Sequence, residues 1–159
     1  MSAGVWNTAQ VSNQCFWLTP VGIYNMHNKY GDRVAGVANS SLSTRLDIWD
    51  WFAGNYQKWR FVPTYDGYTK IINVGSGLVA DLKNGSANDG TYIQQYSDLN
   101  NDPQKWAIER LSDDSFRILN KANGKAWRVG GSIRSCSSSV GSPPVGPRIR
   151  FSPNRPRLS

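Results

Sequence analysis

Gln57-Lys58-Trp59 and Gln104-Lys105-Trp106 are one tripeptide written twice, 47 residues apart. Each copy closes a longer echo, Gly54-Asn55-Tyr56-Gln57-Lys58-Trp59 against Asn101-Asp102-Pro103-Gln104-Lys105-Trp106. The echo continues downstream, because Trp59 is followed after fourteen residues by Asn73 and Trp106 after fourteen by Asn120. Upstream, Gly22-Ile23-Tyr24-Asn25 stands 48 residues before Ile71-Ile72-Asn73. A fixed period of this size marks a repeat architecture, with units opening near Val21, Thr69 and Phe116.

A chain of 159 residues holds one domain with its own core. Apolar residues make up only 39%, but seven Trp offset the shortage of aliphatics, so the core should be aromatic and small. Fifteen Gly and eight Pro interrupt every stretch before a helical apolar stripe can form, which points to an all-β fold. Of the formal charge of +7, five Arg fall after residue 130, so the rest carries +2. No basic face is implied for the repeats, and a nucleic-acid reading would rest on the tail alone. Cys15 and Cys136 are a single pair, not a disulfide framework, and read as free thiols, with a bridge between them as the alternative in an oxidising compartment. The first residues lack the basic start and apolar run of a signal peptide, and no stretch is long and apolar enough to cross a membrane as a helix.

Residues 1–20 fit no repeat and read as an N-terminal arm. The first unit, about 21–66, shows a strand opening at Ile23, a turn over Asn28 to Asp32, then strands at Arg33 to Val37, Ile48 to Trp51 and Gln57 to Val62. The second, 67–113, repeats the plan at Thr69 to Ile72, Leu78 to Leu82, Tyr92 to Tyr96 and Gln104 to Glu109. Alternation puts Trp59 with Phe61, and Trp106 with Ile108, on the buried face. The third unit, from 114, keeps Phe116 to Asn120 and Lys125 to Val129 and then stops resembling the others. From Gly131 the chain has eight Ser, five Pro and five Arg with no Lys, Asp, Glu or Trp, and Phe151-Ser152-Pro153 stands where a third Gln-x-Trp is due. Residues 131–159 therefore read as a tail, either disordered or left by a lost coding frame, that adds little to stability.

Three units of four strands, each of about 47 residues, with Gln-Lys-Trp in two of them, resemble the ricin-B-type β-trefoil lectins and the carbohydrate-binding modules attached to glycosidases. The likeness spans roughly residues 21–130 and includes Gly77-Leu78-Val79-Ala80-Asp81-Leu82 and Thr91-Tyr92-Ile93-Gln94-Gln95-Tyr96 between the tripeptides. It implies a six-stranded barrel capped by three hairpins, with a third repeat that is degenerate or incomplete, and a shallow sugar site possible in each unit. It implies chiefly structural roles for Gln57, Trp59, Gln104 and Trp106. It further implies carbohydrate as the partner, without nucleic acid or membrane, an extracellular location, and fusion to an enzyme or toxin domain.

A pyranose offers vicinal hydroxyls, best met by a carboxylate, and a face of C–H groups, best met by an aromatic ring. Asp81, Gln94 and Tyr96 supply that set, and the resemblance assigns Asp81 to hydroxyl binding, Tyr96 to stacking and Gln94 to support. Pro103 stands where relatives often carry an Asn, so Asn101 is the substitute amide, with Asn100 beside it. The plainer alternatives are a solvated turn carboxylate for Asp81 and a packing ring for Tyr96. The position of Asp81 is Gly36 in the first unit and Arg128 in the third, which leaves those units without the usual acceptor. Trp49 and Trp51, on one strand face with Asp47, form a secondary candidate platform.

Glycoside hydrolysis takes two suitably spaced carboxyls, whereas Glu109 is the single Glu and the ten Asp form no such arrangement. His27 is the one histidine, and no Gly-x-Ser-x-Gly, phosphate loop or Cys-x-x-Cys is present. The reading is a non-catalytic carbohydrate-binding module with no metal and no cofactor, binding galactose-type or xylan-like glycans. The competing class is a trefoil that presents its loops to a protein.

Overall fold

The computed structural model describes residues 22–28, 33–112, 115–130, 135–139 and 149–153. The arm expected over residues 1–20, with Cys15, lies outside them. Twelve strands are formed: β1 (Gly22–Asn28), β2 (Val34–Val37), β3 (Leu46–Trp49), β4 (Trp59–Pro63), β5 (Thr69–Asn73), β6 (Val79–Leu82), β7 (Thr91–Tyr96), β8 (Trp106–Arg110), β9 (Phe116–Asn120), β10 (Ala126–Gly130), β11 (Ser135–Ser139) and β12 (Ile149–Pro153). β1 pairs β4, β4 pairs β5, β5 pairs β8, β8 pairs β9, β9 pairs β12, and β12 returns to β1. The ring of six is closed, which removes sheet edges from the barrel.

The remaining strands form three hairpins, β2–β3, β6–β7 and β10–β11, one per unit. The hairpins touch each other: Ser135 pairs with Asp47, Ser137 with Tyr92, and Arg45 with Gln94. A six-stranded barrel under a triplet of hairpins is a β-trefoil.

Alternation places Trp59 and Phe61, and Trp106 and Ile108, in the core as expected, with Arg60 exposed between the first pair. The two indoles are held alike. Trp59 Nε1 donates to the Ala35 carbonyl at 2.9 Å and Trp106 Nε1 to the Ala80 carbonyl at 3.0 Å. In the third unit the corresponding residue is Trp127, buried and 5.4 Å from the Trp106 ring, so there the bulk comes from the hairpin side.

Gln57 and Gln104 sit in single 3-10 turns, Asn55–Gln57 and Asp102–Gln104, and not on the strands where alternation had placed them. Their amides do equivalent work 47 residues apart. Gln57 donates to the Asp50 carbonyl at 2.7 Å and accepts from the Phe52 N–H at 3.0 Å; Gln104 donates to the Ser97 carbonyl and accepts from the Leu99 N–H, both at 2.8 Å. Irregular backbone before β4 and β8 is thereby satisfied without a sheet partner. The repeated Asn explains itself similarly. Asn73 donates to the Tyr56 carbonyl and Asn120 to the Pro103 carbonyl, each at 2.9 Å, locking these two 3-10 turns to the ends of β5 and β9. The turns that leave β5 and β9 pass through Gly77 and Gly124 at φ of 73° and 69°, a region that favours glycine.

Two expectations need correction. The third strand of the first unit ends at Trp49, short of Trp51, because residues 50–52 are drawn to the Gln57 amide. The expected tail beyond residue 130 contains β11 and β12, so the third unit has four strands and is degenerate in its residues alone. Strand pairing is carried by the backbone and needs no apolar alternation, which is why Ser135–Ser139 gave no strand signal. Residues 131–134, 140–148 and 154–159 lie outside the described part.

Two expectations about stability follow. Trp106→Ala empties a fully buried indole site and should cost about 3–5 kcal/mol in urea unfolding. Truncation after Gly130 removes β11 and β12, opens the ring, and should lower the thermal midpoint by about 10 °C or more, or abolish cooperative unfolding. A shift of only a degree or two would mean that residues 131–159 are not needed to close the barrel.

Candidate functional site

The pairing of β6 with β7 sets Asp81 opposite Gln94, and Tyr96 follows two residues on along the same face. These side chains, together with Asn101, line one depression of about 360 Å³. All four residues singled out from the sequence are thus brought together, whereas Asn100 is not among the lining residues and gives its N–H to Asp98 at 2.9 Å. The volume falls within the range of small-molecule sites, roughly 300–1,000 Å³.

Asp81 is buried, and Gln94 Nε2 donates to its Oδ1 at 2.8 Å. A carboxylate can only accept, so this bond fixes the Gln94 amide with its nitrogen toward Asp81 and its oxygen turned away. That oxygen is buried and has no hydrogen-bond partner among the described residues. A buried acceptor left unmet costs about 1–3 kcal/mol. Burial pushes the Asp81 carboxyl above its ordinary value, while hydrogen bonds from Gln94 and Gln104 and the charge of Lys83 pull it back.

Other parts of the wall were not legible beforehand: Ser43, Lys83, Asn84, Gly85, Leu99 and Pro103. Asn84 and Gly85, at φ of 55° and 58°, shape the 3-10 turn after β6, and an Asn-Gly pair is a turn signal that could have located it. Ser43 carries no such signal. It belongs to the first unit, whose 39–44 loop is fastened to β7 by Gln95: the Gln95 amide donates to the Asn39 and Ser41 carbonyls at 2.7 Å, and its backbone bonds Ser43 and Thr44 at 2.9 Å. The third unit holds the loop that follows the 3-10 turn, with Asn123 donating to the Ser86 carbonyl at 3.0 Å and Lys125 reaching the Ala87 carbonyl and Asp89. The site in the second unit is walled by its own residues and by Ser43 of the first.

The secondary platform is divided. Trp49 lines a different depression, with Arg33, Asp47, Ile48 and Asp50, while Trp51 is absent from that lining and lies with its ring 6.2 Å from that of His27. In the third unit Arg128 stands on β10 opposite Ser137, at the place of Asp81 in the register.

A family model described as ricin-type beta-trefoil lectin domain-like matches residues 55–139. No curated protein sequence matches the chain. Among solved structures, the designed threefold-symmetric protein ThreeFoil is 26% identical, with 82% of this chain covering 97% of that one at a TM-score of 0.77. The exo-beta-1,3-galactanase 1,3Gal43A of Clostridium thermocellum is 22% identical at a TM-score of 0.77, with 85% of this chain covered and 31% of the galactanase. A lectin of Polyporus squamosus is 20% identical at a TM-score of 0.74, with 82% of this chain covered and 48% of the lectin. This chain thus spans about a third of the galactanase and half of the lectin.

The raised carboxyl at 81 has a direct consequence for stability. A carboxyl with a higher pKa in the folded state than in the unfolded chain binds its proton better when folded, so stability rises as pH falls through the folded value toward the ordinary one. Asp81→Asn should accordingly match or exceed the parent in thermal midpoint at pH 7, and its advantage should shrink as the pH is lowered toward 4. A variant less stable than the parent at pH 7 would mean that the ionised carboxylate stabilises the fold.

Proposed function

The chain belongs to the ricin-type beta-trefoil lectin-like family, and we propose that it binds carbohydrate without cleaving it, through the depression between β6, β7 and the segment before β8. The observation that carries this reading is the pair Asp81–Gln94, a buried carboxylate held by an amide whose own oxygen is unpartnered, at the edge of a hollow that also holds Tyr96. The Asp81 carboxylate, oriented by that amide, accepts from hydroxyls on a sugar ring. Tyr96 stacks against the C–H face of the ring, and Asn101, also in the lining, fixes a further hydroxyl in place of the amide that Pro103 lacks. Galactose-type and xylan-like glycans both suit a carboxylate and a ring.

Binding without hydrolysis is supported by the lining itself. Asp81 is the single carboxyl among the described residues around the hollow, and glycoside cleavage ordinarily takes two. The galactanase and the Polyporus lectin extend well beyond the region they share with this chain, in keeping with a module that serves a larger protein.

Asp81→Ala removes a charged acceptor, and at this site affinity for lactose or xylohexaose should fall by roughly 10- to 150-fold, the equivalent of about 1.5–3 kcal/mol. Tyr96→Ala should weaken the same site while the circular dichroism spectrum stays that of the parent. The measurement is titration calorimetry after a glycan array has chosen the better ligand. Titrations unchanged by both substitutions would shift the reading to a trefoil whose loops meet a protein.

A further inference from the structure

Among the described residues, Lys83 is the one cation lining the second-unit hollow, and no carboxylate is hydrogen-bonded to it. Its ammonium rests instead 5.7 Å from the centre of the Tyr92 ring. The Arg45 guanidinium lies 5.4 Å from the same centre, brought there from the first unit by the bridge between Arg45 and Gln94. Arg45 Nε is 3.7 Å from Asp47 Oδ1, too far for a hydrogen bond. Two cations from different units thus converge on one half-buried tyrosine, and neither is hydrogen-bonded to a carboxylate among the described residues.

Strand geometry ties this pair to the hollow. Along β7 the side chains of Tyr92, Gln94 and Tyr96 alternate onto one face, with Asp81 opposite Gln94 on β6. Lys83 follows Asp81 by a step of two residues, roughly 7 Å along an extended chain. One face of the hairpin therefore runs from Tyr96, past the Asp81–Gln94 pair, to Tyr92 with its two cations. A ligand laid along it meets an acceptor and a ring at one end and donors at the other, since an ammonium has three N–H bonds to give and a guanidinium five. The ring attracts each cation, but the like charges repel and neither is neutralised by it. Asp81 sets the direction. Burial raises its carboxyl and the charge of Lys83 draws it back, so an anion on the ligand is repelled from the Asp81 end and drawn toward Lys83 and Arg45.

We propose that the glycan taken by the second-unit site is acidic, with a neutral sugar over Asp81 and Tyr96 and a carboxylate or sulfate on that sugar or the next held by Lys83 and Arg45 beside Tyr92. The proposal rests on the sugar-binding reading of this site and adds the charge of the ligand. A guanidinium meets either oxyanion with two parallel N–H bonds, and the ammonium supplies a second charge from the other side of the unit boundary. The first unit then contributes to recognition through Arg45 as well as to the wall through Ser43.

The test compares lactose and xylohexaose with acidic counterparts, 3′-sulfolactose and a xylo-oligosaccharide bearing glucuronic acid, by titration calorimetry on the full chain. The two arms separate sulfate from carboxylate. At low salt the acidic member of at least one pair should bind about tenfold tighter than its neutral partner, and the gap should narrow at about 0.5 M salt as screening grows. Lys83→Gln and Arg45→Gln should each lower the ratio of acidic to neutral affinity by about threefold or more, whereas Lys83→Arg should keep most of it. The ratio is read with circular dichroism unchanged, so a general loosening of the site does not move it. Asp81→Ala should weaken the acidic and neutral members alike. Equal affinity for the two members of both pairs, or a ratio unmoved by both Gln variants, overturns the proposal, while binding of lactose or xylohexaose that Asp81→Ala weakens leaves the sugar site standing. Acidic-glycan binding that Asp81→Ala leaves intact also overturns it, because the anion is then taken elsewhere. Binding of none of the four probes overturns both readings.

Discussion

The architecture depends on how a Gln-x-Trp segment meets the hairpin of its own unit. The indole gives its N–H to the carbonyl of a hairpin alanine, while the Gln amide ties down the irregular backbone before the strand. A lost amide would orphan two backbone groups. In the second unit the same device also builds the site. Gln104 holds Ser97 and Leu99, Leu99 forms part of the wall, and Asp81 follows directly on the alanine that accepts the indole. Core packing and ligand geometry are set by one cluster.

The units are also clasped to one another by charge. Asp66, in the turn between β4 and β5, accepts from Thr64 and meets Lys121 and Lys105 at 2.9 Å each, and these bonds hold its carboxyl well below the usual range. Lys121 continues to Asp102 at 2.8 Å and lies over the Tyr68 ring. Such exposed pairs add little each, yet they draw three turns from different units to one end of the barrel. Lys105 and Lys121 thereby have their charge met by Asp66 and Asp102.

What could be read from the chain was whatever obeys a short period. Trp59, Phe61, Trp106 and Ile108 alternate, so their burial followed from strand geometry alone, and Asp81, Gln94 and Tyr96 converged because a hairpin aligns them. Three features escaped for physical reasons. Ser43 reaches the hollow through a bond between hairpins of different units, a relation that spacing within a unit does not encode. Trp51 leaves the strand because a side-chain amide outcompetes strand continuation for the backbone around it. β11 pairs through backbone groups in a run of Ser that leaves no hydrophobic trace, and β12 carries only the short alternation Ile149-Arg150-Phe151 among Ser, Pro and Arg. Conversely, Gly36 read as the simple absence of an acid, and only the register showed that its neighbour across the hairpin is Asp47.

The pairing of β1 with β12 sets Tyr24 directly opposite Pro153. Cross-strand neighbours in an antiparallel pair are only about 5 Å apart, so the backbone enters and leaves the barrel through a single doorway. A domain with adjoining entry and exit can hang from a host chain at one point, spliced into a surface loop as readily as joined at an end, without prying the host apart. The closure that seals the barrel therefore also makes it portable.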